Sequence, residues 1–92
     1  MIKSIAHKGL NKLFKTGIGT GVKQDHIRRL RIIITFLNEA HVLDDINFSG
    51  SELHALKGNK KNYWSVKVSS NWRVIFRYVD SNVYDVDYLD YH

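Results

Sequence analysis

The chain has 92 residues, a formal net charge of +5 and no cysteine. We expect one small domain spanning residues 1–92, with a core built without disulfides or thiolate metal ligands. No apolar run approaches the ~20 residues that a membrane-spanning helix needs, and the N-terminus lacks the apolar stretch of a signal peptide. The composition therefore favours a soluble, cytoplasmic protein with no membrane partner.

Positive charge is concentrated in two parts of the chain. Residues 1–40 hold eight Lys and Arg against two acids, and residues 52–77 hold six against one, whereas residues 41–51 and 78–92 are net acidic. Such segregation favours an anionic partner, because clustered cations attract it at long range and release counterions when it binds. A surface charged only for solubility would show the same totals, so charge alone leaves both interpretations open.

The first forty residues predict a short strand followed by two helices. Residues 2–5 are apolar and suited to a strand. Residues 8–15 place apolar side chains at helical spacing, and Gly17 follows where a helix C-terminus favours a left-handed residue. Residues 17–21 indicate a Gly-rich turn, and residues 23–40 predict the longest helix. Its buried stripe would consist of Ile27, Leu30, Ile33, Ile34, Leu37 and Ala40.

The rest of the chain predicts a loop and then a three-stranded antiparallel meander. Residues 41–51 lose the helical periodicity, and residues 53–62 lead into the sheet. Residues 64–68, 72–78 and 84–88 alternate apolar and polar side chains with period two, as strands with one buried face do. The shared core face would hold Trp64, Val66, Val68, Trp72, Val74, Phe76, Tyr78, Tyr84, Val86 and Tyr88. With the helices covering that face, the fold class is α+β.

Turns centred on Ser70 and Ser81 set the register of this meander. The expected cross-strand pairs are Val66 with Val74, Val74 with Tyr88, Lys67 with Arg73, Arg77 with Asp85, and Trp72 with Asp90. Lys67 and Arg73 then face each other on the polar side of the sheet, although like charges placed directly opposite are destabilising. Folding alone would not select that pair, whereas binding of a polyanion would.

The histidines and acidic residues form no recognisable metal motif. The five histidines are scattered, and no His-Glu-x-x-His pattern occurs. Asp85, Asp87 and Asp90 could hold a hard cation, as in a two-metal nuclease. Salt bridges to Arg73 and Arg77 on the same face explain the first two more simply. We therefore expect neither a metal nor another cofactor.

Cleavage of RNA without a metal needs a base, an acid and cations around the phosphorane, because the ribose 2′-hydroxyl is the nucleophile. Histidine suits the proton transfers, since its reference pKa is about 6.5. His54 lies three residues before Lys57, and His92 follows Asp90 and Tyr91. Each also has a plainer explanation. His54 would be a surface loop residue, His92 a frayed terminus and Tyr91 a ring that caps the core.

Several short blocks, spread over the whole chain, occur together in the order and at the spacing of one known family. They are Ile2-Lys3-Ser4, Leu53-His54-x-Leu56-Lys57-Gly58, Tyr63-Trp64-Ser65-Val66, Asn71-Trp72-Arg73-Val74-x-Phe76 and Asp90-Tyr91-His92. In these blocks the chain resembles the HigB toxins of bacterial toxin–antitoxin modules, which belong to the RelE/ParE superfamily. The resemblance implies a RelE-like fold and a small ribonuclease that enters the ribosomal A site and cuts mRNA within codons without a metal.

The same resemblance implies partners and site residues. A HigA-like helix-turn-helix antitoxin would neutralise the protein, and the pair would bind operator DNA only through the antitoxin. The catalytic residues that it implies are His54, Asp90, Tyr91 and His92. The phosphate-stabilising cations that it implies are Lys57 and Arg73, to which the register adds Lys67 and Arg77 as further contacts for RNA.

Two other functions are compatible with this sequence. A ParE-like protein of the same fold would inhibit DNA gyrase without doing chemistry, since a fold does not determine a function. A general RNA-binding module would bind ribosomes without cutting the message. His54 and the Asp90-Tyr91-His92 block argue against the gyrase inhibitor, because a protein that only binds has no need of acid–base groups there.

Overall fold

The computed structural model describes residues 1–60 and 62–91, in which two helices pack against one face of a four-stranded antiparallel sheet. The strands lie side by side in chain order. The elements are α1 (Lys8–Thr16), α2 (Ile27–Glu39), β1 (His54–Ala55), β2 (Tyr63–Lys67), β3 (Trp72–Val79) and β4 (Asn82–Asp90). The predicted α+β class, with helices on one face of the sheet, is confirmed.

Both ends of α1 are closed by local hydrogen bonds. The ring nitrogen Nδ1 of His7 accepts a hydrogen bond from the amide of Leu10 (3.1 Å), which caps the N-terminus. Gly17 ends the helix in the left-handed conformation (φ 79°), and its amide donates to the carbonyl of Leu13, as the sequence predicts. The helix α2 begins later than predicted, because Gln24–His26 forms a 3₁₀ turn. Among the described residues, no helix is long and apolar enough to cross a membrane.

The three long strands pair in the predicted register in the half of the sheet that lies nearer the β2–β3 turn. The confirmed pairs are Val66 with Val74, Val74 with Tyr88, Trp72 with Asp90, and Lys67 with Arg73. The apolar side of these strands packs on the buried stripe of α2, in which only Ile27 is half-exposed. The other side of the sheet, which we call the outer face, is turned away from the helices.

The register departs from the prediction where β3 and β4 approach their shared turn. An extra residue in β4 shifts the pairing between Ile75 and Arg77, and Asp85 takes the left-handed conformation (φ 55°). This is a β-bulge, and it exchanges the faces of the residues beyond it. Tyr84 therefore pairs with Arg77 on the outer face, and Val83 is buried instead. The predictions that Tyr84 lies on the core face and that Asp85 pairs with Arg77 in the ladder are wrong.

The N-terminal segment, predicted as a short strand, lies along β4 but pairs with it only at isolated points. The two parallel bridges are Ile2 to Val83 and Ile5 to Val86. Between them, the hydroxyl of Ser4 accepts a hydrogen bond from the amide of Asp85 (2.8 Å). The bulge thus prevents a continuous ladder, because Ser4 bonds to the extra residue of β4 by its side chain.

The strand β1 is a feature that the sequence does not predict. It has two residues, too few to show an alternation, and its pairs are His54 with Ser65 and Ala55 with Trp64. The described part of the sheet therefore has four strands where the sequence predicts three. The predicted loop at 41–51 contains a 3₁₀ turn, Leu43–Ile46, which buries its last side chain in the core.

A histidine–tyrosine pair is buried between the helices and the sheet. The Nδ1 atom of His26 is hydrogen-bonded to the hydroxyl of Tyr88, and both rings contact Trp72. Burial lowers the pKa of His26, and the nearby charge of Lys23 lowers it further. Burial raises the pKa of Tyr88. Both side chains are therefore neutral at neutral pH.

Gly9 of α1 packs so closely against Gly21 that a methyl group cannot be added. A Cβ atom built on Gly9 would lie 2.1 Å from the carbonyl oxygen of Gly21. We expect Gly9→Ala to lower the free energy of unfolding by about 1–3 kcal/mol, the usual penalty for overpacking, although alanine is the better helix former. Urea unfolding measures the change. Lys15→Ala, on the exposed side of α1, should change it by less than about 0.5 kcal/mol, and an equally small change for Gly9→Ala would contradict this packing.

The lowered pKa of His26 makes stability depend on pH. The unfolded chain takes up the proton near pH 6.5 and the folded protein only at lower pH, so the free energy of unfolding should fall as the pH drops below 6.5. The loss is at most about 1.4 kcal/mol per pH unit and ends once the folded pKa has been passed. Urea unfolding at about pH 7.5 and about pH 5.5 measures it. His26→Leu should reduce the difference and His41→Gln, at an exposed position, should keep it; an unchanged difference in His26→Leu would contradict this assignment.

Candidate active site

On the outer face, side chains from all four strands lie in rows that run across the sheet. Residues paired directly across antiparallel strands point to the same side, so the register assigns each row. One row consists of His54, Ser65, Ile75 and Asp87. The adjacent row consists of Lys67, Arg73 and Leu89. The cations Lys67 and Arg73 are thus next to His54 and Ser65 on one surface, which we call the outer-face site.

The hydrogen bond of His54 defines the proton position on its ring. Its Nδ1 atom lies 3.0 Å from the backbone carbonyl oxygen of Glu52. A carbonyl oxygen can only accept, so Nδ1 must carry the hydrogen. In the neutral ring the other nitrogen, Nε2, is then the one that can accept a proton. The side chain is exposed, so Nε2 is accessible to a substrate at the edge of the sheet.

Glu52 is a member of the outer-face site that the sequence prediction missed. Its Oε2 atom lies 3.0 Å from Nζ of Lys67. The hydrogen bond and the charge of Lys67 lower the pKa of Glu52, and the charges of Arg73 and His54 lower it further. All three cationic or basic side chains therefore act on one carboxylate. The signal in the sequence was that Glu52 is the sole acid of residues 52–77 and lies two positions before His54.

Arg73 and Ser65 present buried donors that no group in the described residues uses. The Nη1 atom of Arg73 is buried and has no hydrogen-bond partner there, and the same is true of the hydroxyl of Ser65. An unpaired buried donor is expensive, and more so when it belongs to a charged group. The described residues therefore leave two donors of the site unsatisfied, one of them on a charged group.

The width of the site suits a single phosphodiester. Strands lie about 4.8 Å apart and rise about 3.4 Å per residue, so the Cα atoms of His54 and Arg73 are about 12 Å apart across β2. Both side chains extend over the same face, and Lys67 lies between them. The carboxylate of Glu52 is in contact with Lys67, and the charges of Arg73 and His54 also lower its pKa.

A second arginine, Arg29 of α2, holds the backbone of the site in place. Its Nε and Nη2 atoms donate to the carbonyl oxygen of Lys67 (3.1 and 2.9 Å), and Nη2 also donates to the carbonyl oxygen of Gly50 (2.7 Å). The amide of Lys67 donates in turn to the carbonyl oxygen of Ser51 (2.8 Å). The segment that precedes β1 is thus fastened to the end of β2, which fixes Glu52 above Lys67.

Two further predicted cations, Arg77 and Lys57, are not part of the group formed by Lys67, Arg73 and Glu52. Arg77 is on the outer face, but its Nε atom is 3.3 Å from Oδ2 of Asp85 and its guanidinium group stacks on the ring of Tyr84. Lys57 is exposed in the turn that follows β1, and its side chain is not among the groups that act on Glu52. Their roles in RNA binding stay predictions.

The C-terminal candidates are divided between the two sides of the sheet. Asp90 pairs with Trp72, whose ring lies on the helix side, and the charge of Asp90 adds to burial in raising the pKa of Tyr88. Tyr91 is half-exposed beyond the end of β4, and its amide donates to the carbonyl oxygen of Asn71. His92 lies outside the described residues. The catalytic roles assigned to these positions stay predictions.

Metal ligation receives no support from the geometry of residues 1–60 and 62–91. Within those ranges, no three His, Asp or Glu side chains are grouped closely enough to hold a metal ion. What the outer-face site does offer is a ring nitrogen of His54 that can accept a proton, on the same face as the cations Lys67 and Arg73. That combination can move a proton and stabilise negative charge on a phosphate.

Comparison with known proteins agrees with the predicted resemblance. A family model described as the RelE-like toxin of type II toxin–antitoxin system HigB matches residues 3–92. Endoribonuclease HigB of Proteus vulgaris is 37% identical over 92 residues, which cover all of both chains. The crystal structure of YafQ from E. coli strain BL21(DE3) has a TM-score of 0.53, covers 92% of this chain and 86% of its own, and is 16% identical. That last likeness shows a shared fold.

The family match also establishes the general kind of partner, because a toxin of a type II system is paired with an antitoxin. The family match extends over nearly the whole chain. The relative from Proteus vulgaris has the same length, and its 37% identity is high enough to show a common family. The chain therefore belongs to the HigB family of RelE-like toxins of type II toxin–antitoxin systems.

Proposed function

We propose that this toxin is an endoribonuclease that cuts mRNA on the ribosome, using the 2′-hydroxyl of the substrate as the nucleophile and no metal. One observation carries the proposal: His54, whose Nδ1 donates to the carbonyl of Glu52 and whose Nε2 is the proton-accepting nitrogen of the neutral ring, shares the outer face with the cations Lys67 and Arg73. The name of the Proteus vulgaris relative, an endoribonuclease, supports the same reaction class.

The reaction divides between a proton transfer and charge stabilisation. Nε2 of His54 takes the proton of the 2′-hydroxyl, and the 2′-oxygen forms a bond to the adjacent phosphorus. Lys67 and Arg73 stabilise the negative charge that develops on the phosphorane oxygens. The bond from phosphorus to the 5′-oxygen then breaks, and this oxygen takes a proton from an acid. The products are a 2′,3′-cyclic phosphate and a free 5′-hydroxyl.

The acid for the leaving oxygen belongs to the C-terminal residues in this proposal. Asp90, Tyr91 and His92 are the candidates, as the family resemblance implies, and the two that the structure describes, Asp90 and Tyr91, both lie exposed at the end of the sheet. Lys57 and Arg77 would contact the RNA on either side of the cleaved bond. Their positions at the edge of the outer-face site are compatible with that role.

The partners in this proposal follow from the substrate and from the family. The substrate is mRNA in the ribosomal A site, so the protein acts in the cytoplasm. The antitoxin is a HigA-like helix-turn-helix protein, and operator DNA is contacted only through it. The alternative of a ParE-like gyrase inhibitor has the shared fold in its favour, but it leaves the base and the unused donors of the outer-face site without a purpose.

Cleavage in a translation extract programmed with a defined message tests the proposal. The wild type should produce new 5′ ends within codons, and Arg73→Ala should reduce their rate of formation about a hundredfold or more, because a cation that acts on the transition state is lost. His54→Ala should reduce the rate about a hundredfold as well, the usual contribution of a positioned base.

Primer extension on the message measures the new ends. Lys3→Ala is the matched control, since it removes one positive charge from an exposed position far along the chain from the site. It should cut like the wild type. Undiminished cutting by Arg73→Ala and His54→Ala would contradict the proposed site, and a wild type that inhibits gyrase supercoiling without cutting RNA would contradict the proposed function.

The tautomer of His54 can be measured directly. In the free protein with a neutral imidazole ring, we expect the hydrogen on Nδ1, because the carbonyl of Glu52 accepts from that nitrogen. Nitrogen-15 chemical shifts and long-range couplings in the imidazole ring distinguish the two tautomers. His7 is the internal comparison with the opposite pattern, since its Nδ1 accepts from the amide of Leu10 and Nε2 must carry the hydrogen. A His54 ring with its hydrogen on Nε2 could not act as the proposed base.

A further inference from the structure

The outer-face site already contains an anion in the free protein. Lys67 and Arg73 lie directly opposite each other, and such a like-charge pair is destabilising unless a counter-charge is present. The carboxylate of Glu52 supplies that charge, at 3.0 Å from Nζ of Lys67 and under the influence of Arg73. It therefore occupies the place where the proposed reaction needs a phosphate.

The position of Glu52 is imposed by its surroundings and is not a relaxed loop conformation. Its φ angle is 47°, a left-handed value that residues with a side chain adopt rarely and at an energetic cost. The bonds from Arg29 to the carbonyls of Gly50 and Lys67, and from the amide of Lys67 to Ser51, hold the strained segment. The fold thus places this carboxylate over the cations.

The single carboxylate does not satisfy the site. Among residues 1–60 and 62–91, the Nη1 atom of Arg73 and the hydroxyl of Ser65 have no acceptor while Glu52 is in place. The charges show the same shortfall, since Glu52 cancels one of the two positive charges of Lys67 and Arg73. A phosphodiester carries one negative charge and the phosphorane two, so the cations match the transition state only when Glu52 has left.

We propose that Glu52 is an internal stand-in for the substrate phosphate, which leaves Lys67 when a phosphodiester enters the place between Lys67 and Arg73. This inference rests on the proposed function for the location of the substrate. Displacement of Glu52 opposes binding, so free RNA binds weakly, and presentation of the RNA on the ribosome supplies the missing affinity. Glu52 is thereby an additional residue of the site, one that sets its selectivity.

Binding of a non-cleavable RNA tests the stand-in without involving catalysis. The probe is a fluorescein-labelled oligoribonucleotide in which every 2′-oxygen is methylated, and fluorescence anisotropy at constant ionic strength measures its Kd. Glu52→Gln should lower the Kd about two- to fivefold, the factor that corresponds to the usual strength of an exposed ion pair. Glu39→Gln, an equal change in charge at the exposed end of α2, should lower it less.

A double-mutant cycle shows whether the effect passes through Lys67. In a Lys67→Ala background the gain from Glu52→Gln should shrink to that of Glu39→Gln, because Glu52 then blocks no cation. No gain in Glu52→Gln, a gain no larger than that of Glu39→Gln, or a gain that persists in Lys67→Ala would overturn the inference.

The outcome is separable from that of the proposed function. If the wild type cuts mRNA in the translation extract but Glu52→Gln does not tighten binding, the stand-in alone is wrong. If the wild type does not cut, the proposed function is wrong, whatever the binding shows. Glutamine has the shape of glutamate, and an unchanged backbone amide NMR spectrum outside residues 50–54 and 65–73 confirms that the variant is folded.

Discussion

The outer-face site depends on two like charges placed directly opposite each other, Lys67 on β2 and Arg73 on β3. The tight turn between these strands leaves no freedom in this pairing, because the amides of Val68 and Ser69 both donate to the carbonyl of Trp72. The repulsion contributes nothing to folding. It concentrates positive charge on a small area, and Glu52 offsets it in the free protein.

The helical layer takes part in the site through the backbone. Arg29 reaches from α2 past the end of the sheet, and its planar fork binds two carbonyl groups at once, which a lysine could not do in the same way. Its guanidinium group lies over the ring of Phe48, which stacks on Phe36 of α2. The segment before β1 is consequently anchored on both sides. A stretch without periodicity in the sequence is therefore tied to both the helix α2 and the strand β2 where the site requires it.

The register of the strands could be predicted from the sequence wherever the apolar–polar alternation extends over enough residues. Lys67 opposite Arg73 follows from period two and one short turn. The bulge at Asp85 does not follow from the sequence. An inserted residue exchanges the faces of the residues beyond it, but it leaves no mark in the pattern of apolar and polar residues around it. Glu52 was missed for a different reason. Its place over Lys67 depends on a left-handed backbone angle and on Arg29, neither of which has a local signature.

The order of the strands gives the proposed chemistry a direction. His54 is on β1, the cations are on β2 and β3, and Tyr91 follows β4, tied beside the start of β3 by its amide bond to Asn71. In the proposal, a base at one edge and an acid from the C-terminal residues at the other edge would flank the central charges. Attack by the 2′-oxygen and departure of the 5′-oxygen take place on opposite sides of phosphorus, so the two proton transfers need groups that are separated in this manner.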